Sequence, residues 1–347
     1  MIIAICQEWG HNMNVRERFH KTMSFMVGTG DLDRLPMTEW ASWWDKTLDR
    51  WYTEGLSNKP TPDEHRDLFG HDSWRQFWIR SYADGFPSME HGQGPVSDSQ
   101  SYEAILPFLY PIDPLKHCRK TLMQIEPLHK NGDQLVWMTL EGFFWWPRVL
   151  FGIEDHLFSF VDEPELLHRI IDDQAEYCLR VIDDFCEIIV PDFMTFAEDM
   201  SYNLGPMLSE ELFHRFLRPG YDKVISRLKE KGIRVFIDSD GEVSEMIPWL
   251  LQAGIEGILP LERQAGCDVA KLRQDHPNLL MIGAYDKMVM KDGEEAMRKE
   301  FERLLPTMKT GGFIPSVDHQ TPPDVSLEQY YVYMKLLREY TEKAVLK

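Results

Sequence analysis

The chain has 347 residues, 43% of them hydrophobic and 27% charged, and its 57 acidic against 37 basic side chains give a formal net charge of −20. A field of that sign repels phosphate backbones and anionic lipid, so neither nucleic acid nor a membrane is an expected partner. The start shows no basic leader, and no apolar run reaches the roughly 18 residues of a spanning helix, which predicts a soluble cytoplasmic protein.

Residues 1–130 carry seven of the 11 tryptophans, and Trp40, Trp43, Trp44 and Trp51 recur at helical spacing, the pattern of a helix packed on a core. This part is predicted to be a helical cap that supplies one or two early strands. Residues 131–347 alternate short apolar runs with amphipathic stretches. The runs are 134–139, 192–196, 233–237, 255–259, 279–283 and 312–316, and helical periodicity covers 163–189, 209–231, 243–253, 268–275, 293–309 and 326–345. Lys231-Gly232 and Ala253-Gly254 end helices where the next run begins. Strand then helix, repeated in this way, requires parallel strands joined by crossovers. No G-x-G-x-x-G or P-loop follows the first run, which argues against a nucleotide-binding open sheet. The expected fold class is α/β, a (β/α)8 TIM-type barrel forming one domain over 1–347. The five cysteines (Cys6, Cys118, Cys178, Cys186, Cys267) form no C-x-x-C pair and read as reduced thiols.

Nearly every run ends in ionisable residues: Glu141, Glu198-Asp199, Asp238-Ser239-Asp240-Gly241, Glu262, Tyr285-Asp286 and Asp318-His319. In a barrel these positions share the rim where that fold builds its active site. Asp238 and Asp240, two apart on an extended chain, point the same way, and paired carboxylates either share a proton or hold a cation. The alternative for this pair is two solvated rim acids at a turn. His319 suits an acid/base or a metal ligand, with Asp318 placed to orient it, or else a hydrogen-bonded structural role. Asp199 and Glu262 extend the acidic ring as catalytic candidates, and Glu198 and Tyr285 are candidate substrate contacts. Gly142-Phe143-Phe144-Trp145-Trp146-Pro147-Arg148 sets aromatics and one cation beside the rim, so Trp145, Trp146 and Arg148 suit a flat or apolar ligand, or aromatic packing beneath the cap.

Several strings together resemble the uroporphyrinogen decarboxylase superfamily, which includes cobalamin-linked methyltransferases. They are Asp33-Arg34-Leu35-Pro36, Thr47-Leu48-Asp49-Arg50-Trp51 with Glu54-Gly55-Leu56, Glu198-Asp199-Met200 with Gly205-Pro206 and Ser209-Glu210-Glu211, and Asp240-Gly241. Further on come Glu256-Gly257-Ile258-Leu259-Pro260-Leu261-Glu262, Gly283 with Asp286-Lys287, and Gly311-Gly312 leading to Asp318-His319-Gln320-Thr321-Pro322-Pro323. The resemblance implies the same barrel. The decarboxylases carry an Arg-Gln-Ala-Gly-Arg-Tyr motif near the amino terminus, and this sequence has none. Methyltransferase members bind zinc through a His-x-Cys pair and a later Cys, positions that fall on Asp238, Asp240 and His319 here, so oxygen and nitrogen replace thiolate as ligands. The leading expectation is therefore methyl transfer between a small methylated substrate and a corrinoid on a separate protein, with zinc or protons supplied at Asp238, Asp240 and His319. Two alternatives stand beside it. One is metal-free decarboxylation of a porphyrinogen or related acid at Asp199 or Asp240, and the other is a non-catalytic barrel that binds a tetrapyrrole or a protein. A homodimer is a further expectation.

Overall fold

A computed structural model of the chain describes residues 13–59 and 61–346; the apolar start, Cys6 and Trp9 lie outside them. Seven strands form one parallel sheet in strict chain order: β1 (Trp74–Ile79), β2 (Leu135–Glu141), β3 (Phe193–Ala197), β4 (Arg234–Asp238), β5 (Gly257–Leu259), β6 (Leu280–Tyr285) and β7 (Phe313–Val317). Each neighbouring pair is joined by a crossover, and the sheet curls as a TIM-type α/β fold does. The extended segment 35–39 stands between the two ends of the sheet. Beside β1, Met37 O accepts the Asp72 N–H (2.8 Å). Against β7, the Glu39 carboxylate accepts the Ser316 hydroxyl (2.8 Å) and the Val317 N–H (3.1 Å). Thus an eighth wall position is filled without a regular strand, because side chains replace the ladder on that side.

The alternation of strand side chains sorts the sheet into two faces. Trp74, Leu135, Trp137, Phe193, Phe236, Leu280, Ile282 and Ile314 form the barrel interior, and Phe19 and Met23 of the helix Val15–Met23 pack among them from below. Phe19 stacks on Phe193 at 5.3 Å and meets Trp74 edge-on at 5.4 Å. The opposite face packs against the outer helices in a much larger cluster that includes Met138, Phe196, Ile237, Met281 and Tyr285. The helices fall close to the amphipathic stretches, with Pro164–Cys186, Arg218–Glu230, Val269–Asp275, Glu294–Met308 and Leu327–Val345 the principal ones.

In the amino-terminal part, the tryptophan spacing predicted one helix, but the helix Asp45–Thr53 begins after Trp44. Trp43 and Trp51 are buried, whereas Trp44 is 41% exposed and Trp40 lies at the rim. Among the described residues no helix is long and apolar enough to cross a membrane.

Candidate functional site

The rim acids divide by strand parity. Phe236 faces the barrel interior, so Asp238, two residues on, faces it too. Phe196 packs against the outer helices, so Glu198 points that way, and Asp199 beside it turns back toward the mouth. Asp199 holds φ +41°, a left-handed conformation that costs a non-glycine residue roughly 1–3 kcal/mol and persists where its surroundings enforce it. The enforcing contacts are on β4: the Asp238 carbonyl accepts the N–H of Glu198 (2.9 Å) and of Asp199 (3.4 Å).

Asp199, Asp238, Asp240 and His319 are thereby brought together. The Asp199 carboxylate accepts the Asp240 N–H at 3.4 Å, and His319 Nε2 stands 3.5 Å from Asp240 Oδ2. Burial, then the Asp240 charge, pushes the Asp199 carboxyl up to about 6, against the Asp240 N–H, Arg148 and His319. Burial, with the charges of Asp199 and Asp240, raises Asp238 well above the ordinary carboxylate range. Burial works to lower the His319 pKa, but the hydrogen bond and charge of Asp240, with the charge of Glu262, outweigh it and the net direction is upward. The centre therefore holds crowded acids, two of them pushed toward their neutral forms, beside an imidazole pushed toward its charged one.

Residues from the amino-terminal part fix the imidazole loop. Trp40 donates its indole N–H to Val317 O (3.0 Å) and meets the His319 ring edge-on at 5.9 Å. Thr47, Arg50 and Trp51 donate to the carbonyls of Thr321, Pro323 and Val325 at 2.8, 3.0 and 2.9 Å.

Asp318, expected to orient His319, does something else. It is fully buried and accepts the N–H of Arg263 (2.8 Å) and the ammonium of Lys287 (3.2 Å), which also lies 3.5 Å from Glu262. Glu262 in turn accepts the Gly241 N–H at 3.0 Å, tying the Asp240 turn to this ion-pair network. Lys287 was visible in the sequence only as part of a family string, since nothing local links it to an acid 31 positions away.

Three expected substrate contacts are structural instead. Glu198 is fully buried, and its carboxylate accepts the N–H groups of Phe143 (2.7 Å), Phe144 (2.7 Å) and Trp145 (3.0 Å) and the Tyr221 hydroxyl. Burial pushes this carboxyl up to about 7 while those four donors pull it down. Gly142 is required beside it, because a Cβ there would stand 2.0 Å from the carboxylate. Trp146 is fully buried, donating its indole N–H to the Tyr110 hydroxyl (3.0 Å). Tyr285 is buried among Phe301 and Tyr333, because parity turns it away from the interior. Trp145 and Arg148 do stay at the surface of the site. Arg148 lies over the Trp145 ring at 5.0 Å and donates to Asp199 O (3.2 Å).

The zinc expectation at Asp238, Asp240 and His319 does not fit. Among the described residues no three His, Cys, Asp or Glu side chains are grouped to hold a metal ion. The thiol near the Asp240 turn, Cys267, is buried and donates to Gly241 O (3.4 Å), and burial pushes it up to about 12.

A family model described as uroporphyrinogen decarboxylase (URO-D) matches residues 148–340, a span that contains the whole acid and imidazole cluster. Among solved structures, a methyltransferase from Methanosarcina mazei aligns with TM-score 0.68 and 14% identity over 95% of this chain and 99% of that chain. A putative vitamin-B12 independent methionine synthase from Listeria monocytogenes aligns with TM-score 0.48 and 9% identity over 90% and 97%. No curated protein sequence matches significantly.

Proposed function

The chain belongs to the uroporphyrinogen decarboxylase (URO-D) family, and from that premise we propose that it is a methyltransferase acting on a small donor whose methyl group sits on oxygen or nitrogen. The observation that carries this reading is the inward cluster in which Asp199 is pushed up to about 6 and Asp238 well above the usual range. An acid so tuned keeps its proton up to about pH 6 and, in that form, gives it to the leaving oxygen or nitrogen as the bond to the methyl carbon breaks. A corrinoid carried by a separate protein is the methyl acceptor in this reading and supplies the nucleophile. The donor loses its methyl group and gains the proton of Asp199. His319, ion-paired with Asp240 and 26% exposed at its side chain, returns a proton from solvent to the cluster.

The shared fold with a methyltransferase supports the reading. Decarboxylation of a porphyrinogen has less support. Such a substrate brings many carboxylates to a mouth already lined by three, and the Lys287 cation beside it is matched to Asp318 and Glu262.

Free cob(I)alamin as acceptor, offered with O-methyl and N-methyl donors to the full-length protein, tests the proposal through the visible spectrum of the corrinoid. Transfer is expected with at least one donor, slowing as pH rises through about 6 because Asp199 loses its proton. Asp199→Asn is expected to lose about 10²–10⁴ in rate. An unchanged rate in that variant, or turnover of uroporphyrinogen with no methyl transfer, would overturn it.

A further inference from the structure

Beside the acid cluster lies a cleft of about 260 Å³ between the loop 86–93 and the helix Trp145–Phe151, lined by Phe86, Met89, Trp145, Arg148, Val149 and Ile153 among others. Its walls are built rather than incidental. The Ile153 N–H donates to Gly92 O (2.9 Å) and the Val96 N–H to Leu150 O (2.9 Å), stitching the loop to the helix end. Neither seam admits a side chain: a Cβ on Gly94 would stand 2.1 Å from Leu150 O, and one on Gly152 would stand 2.5 Å from Gly92 O. The helix itself is anchored, since Glu198 binds the N–H groups of Phe143, Phe144 and Trp145. Residue 198 therefore fixes the cleft while residue 199 supplies the acid, and Arg148 joins the two through Asp199 O.

The chemistry of the lining selects a ligand. Phe86 and Trp145 offer flat aromatic surface with Val149 beside them, Glu90 and His91 are the ionisable groups on the loop side, and Arg148 on the helix side offers a cation bound to one main-chain oxygen, with further donors in its planar fork. The volume falls below the roughly 300–1,000 Å³ of sites for drug-sized ligands, which suits one ring. We infer that this cleft binds a small aromatic carboxylate, its ring against Phe86 and Trp145 and its carboxylate on Arg148. It is the non-reacting part of the methyl donor, and this assignment of substrate class rests on the methyl-transfer reading, whereas the ring site itself rests on the cleft.

Benzoate, benzamide and cyclohexanecarboxylate, titrated into the full-length protein by calorimetry, test it. Benzoate is expected to saturate, and both analogues to bind more weakly. Arg148→Gln should weaken benzoate at least about tenfold and abolish its advantage over benzamide, since a charge-assisted pair is lost. Trp145→Leu should erase the preference for benzoate over cyclohexanecarboxylate. Val149→Phe, which fills the cleft from one side without touching the anchors, should also reduce binding, so a folding failure in one variant leaves the other decisive. Absence of saturable benzoate binding, or equal affinity in Arg148→Gln, overturns the ring site. Failure of the ring site and failure of methyl transfer give different results. If benzoate binds yet no methylated benzoate donates, the ring site stands and methyl transfer fails. Transfer from aliphatic donors without benzoate binding removes the ring site and leaves methyl transfer standing.

Discussion

Asp199→Asn should make the protein more stable while it slows methyl transfer, and the gain should depend on pH in a defined way. The Asp199 carboxyl is raised from 3.8 to about 6, first by burial and then by the charge of Asp240. Ionising it in the folded state therefore costs more than ionising it in the unfolded chain by roughly two pKa units, or about 3 kcal/mol at about 1.4 kcal/mol per unit. Below the unfolded value both states hold the proton and nothing is lost. As pH rises through 3.8 the unfolded chain ionises first, so wild-type stability falls, and the loss is complete once the folded carboxyl has also ionised above about 6. Asparagine carries no such charge and tolerates the φ of +41° at this position better than most residues. Urea denaturation at pH 4 and pH 8, followed by circular dichroism, reads the effect. The variant should lie within about 1 kcal/mol of wild type at the lower pH and exceed it by about 3 kcal/mol at the higher. A variant no more stable at pH 8, or one equally stabilised at both, would refute the assignment of a strained, functionally crowded acid.

Other substitutions probe the scaffold. Glu198→Gln keeps one acceptor oxygen but turns an NH₂ toward two of the four donors that meet the carboxylate, so about 4 kcal/mol should be lost at about 1–3 kcal/mol per orphaned donor; a urea midpoint that barely moves would show the clamp to be dispensable. His156 is fully buried against Phe144 with neither ring nitrogen partnered among the described residues, and burial lowers its pKa to about 3. His156→Leu should therefore stabilise by about 1 kcal/mol at neutral pH. The advantage should widen to about 3 kcal/mol at pH 5, where the unfolded wild type gains a proton that the folded state refuses; thermal melts at the two pH values check the sign. Gly142→Ala should unfold the turn or displace Glu198, because its Cβ falls on the carboxylate, and soluble yield against wild type is the readout.

Six of the strands were legible as apolar runs, and 134–139 against Leu135–Glu141 shows the typical agreement of a residue or two. β1 was not, since Trp74-Arg75-Gln76-Phe77-Trp78-Ile79 mixes polar and aromatic residues and its burial follows no clean alternation. Nor was the segment 35–39, which fills a wall position through the Glu39 side chain instead of a strand ladder. Within the site, the gathering of Asp199, Asp240 and His319 followed from strand ends alone. The misplacement of Glu198 and Tyr285 has a remedy only once the structure shows Phe196 and Met281 on the helix-facing side: counting by twos from them turns each outward. The role of Asp318 had no such remedy, because Lys287 reaches it only through the tertiary fold.

The bonds from Trp40, Thr47, Arg50 and Trp51 to main-chain oxygens between Val317 and Val325 span more than 270 positions. A nascent chain leaving the ribosome carries its early aromatic anchors long before the loop they grip exists. Until the segment 317–325 has also emerged, that aromatic surface has no docking site, and the pocket lacks its imidazole. Closure of the site is thus coupled by topology to a segment more than 270 positions downstream, the kind of long-range pairing that forms late and leaves apolar surface uncovered meanwhile.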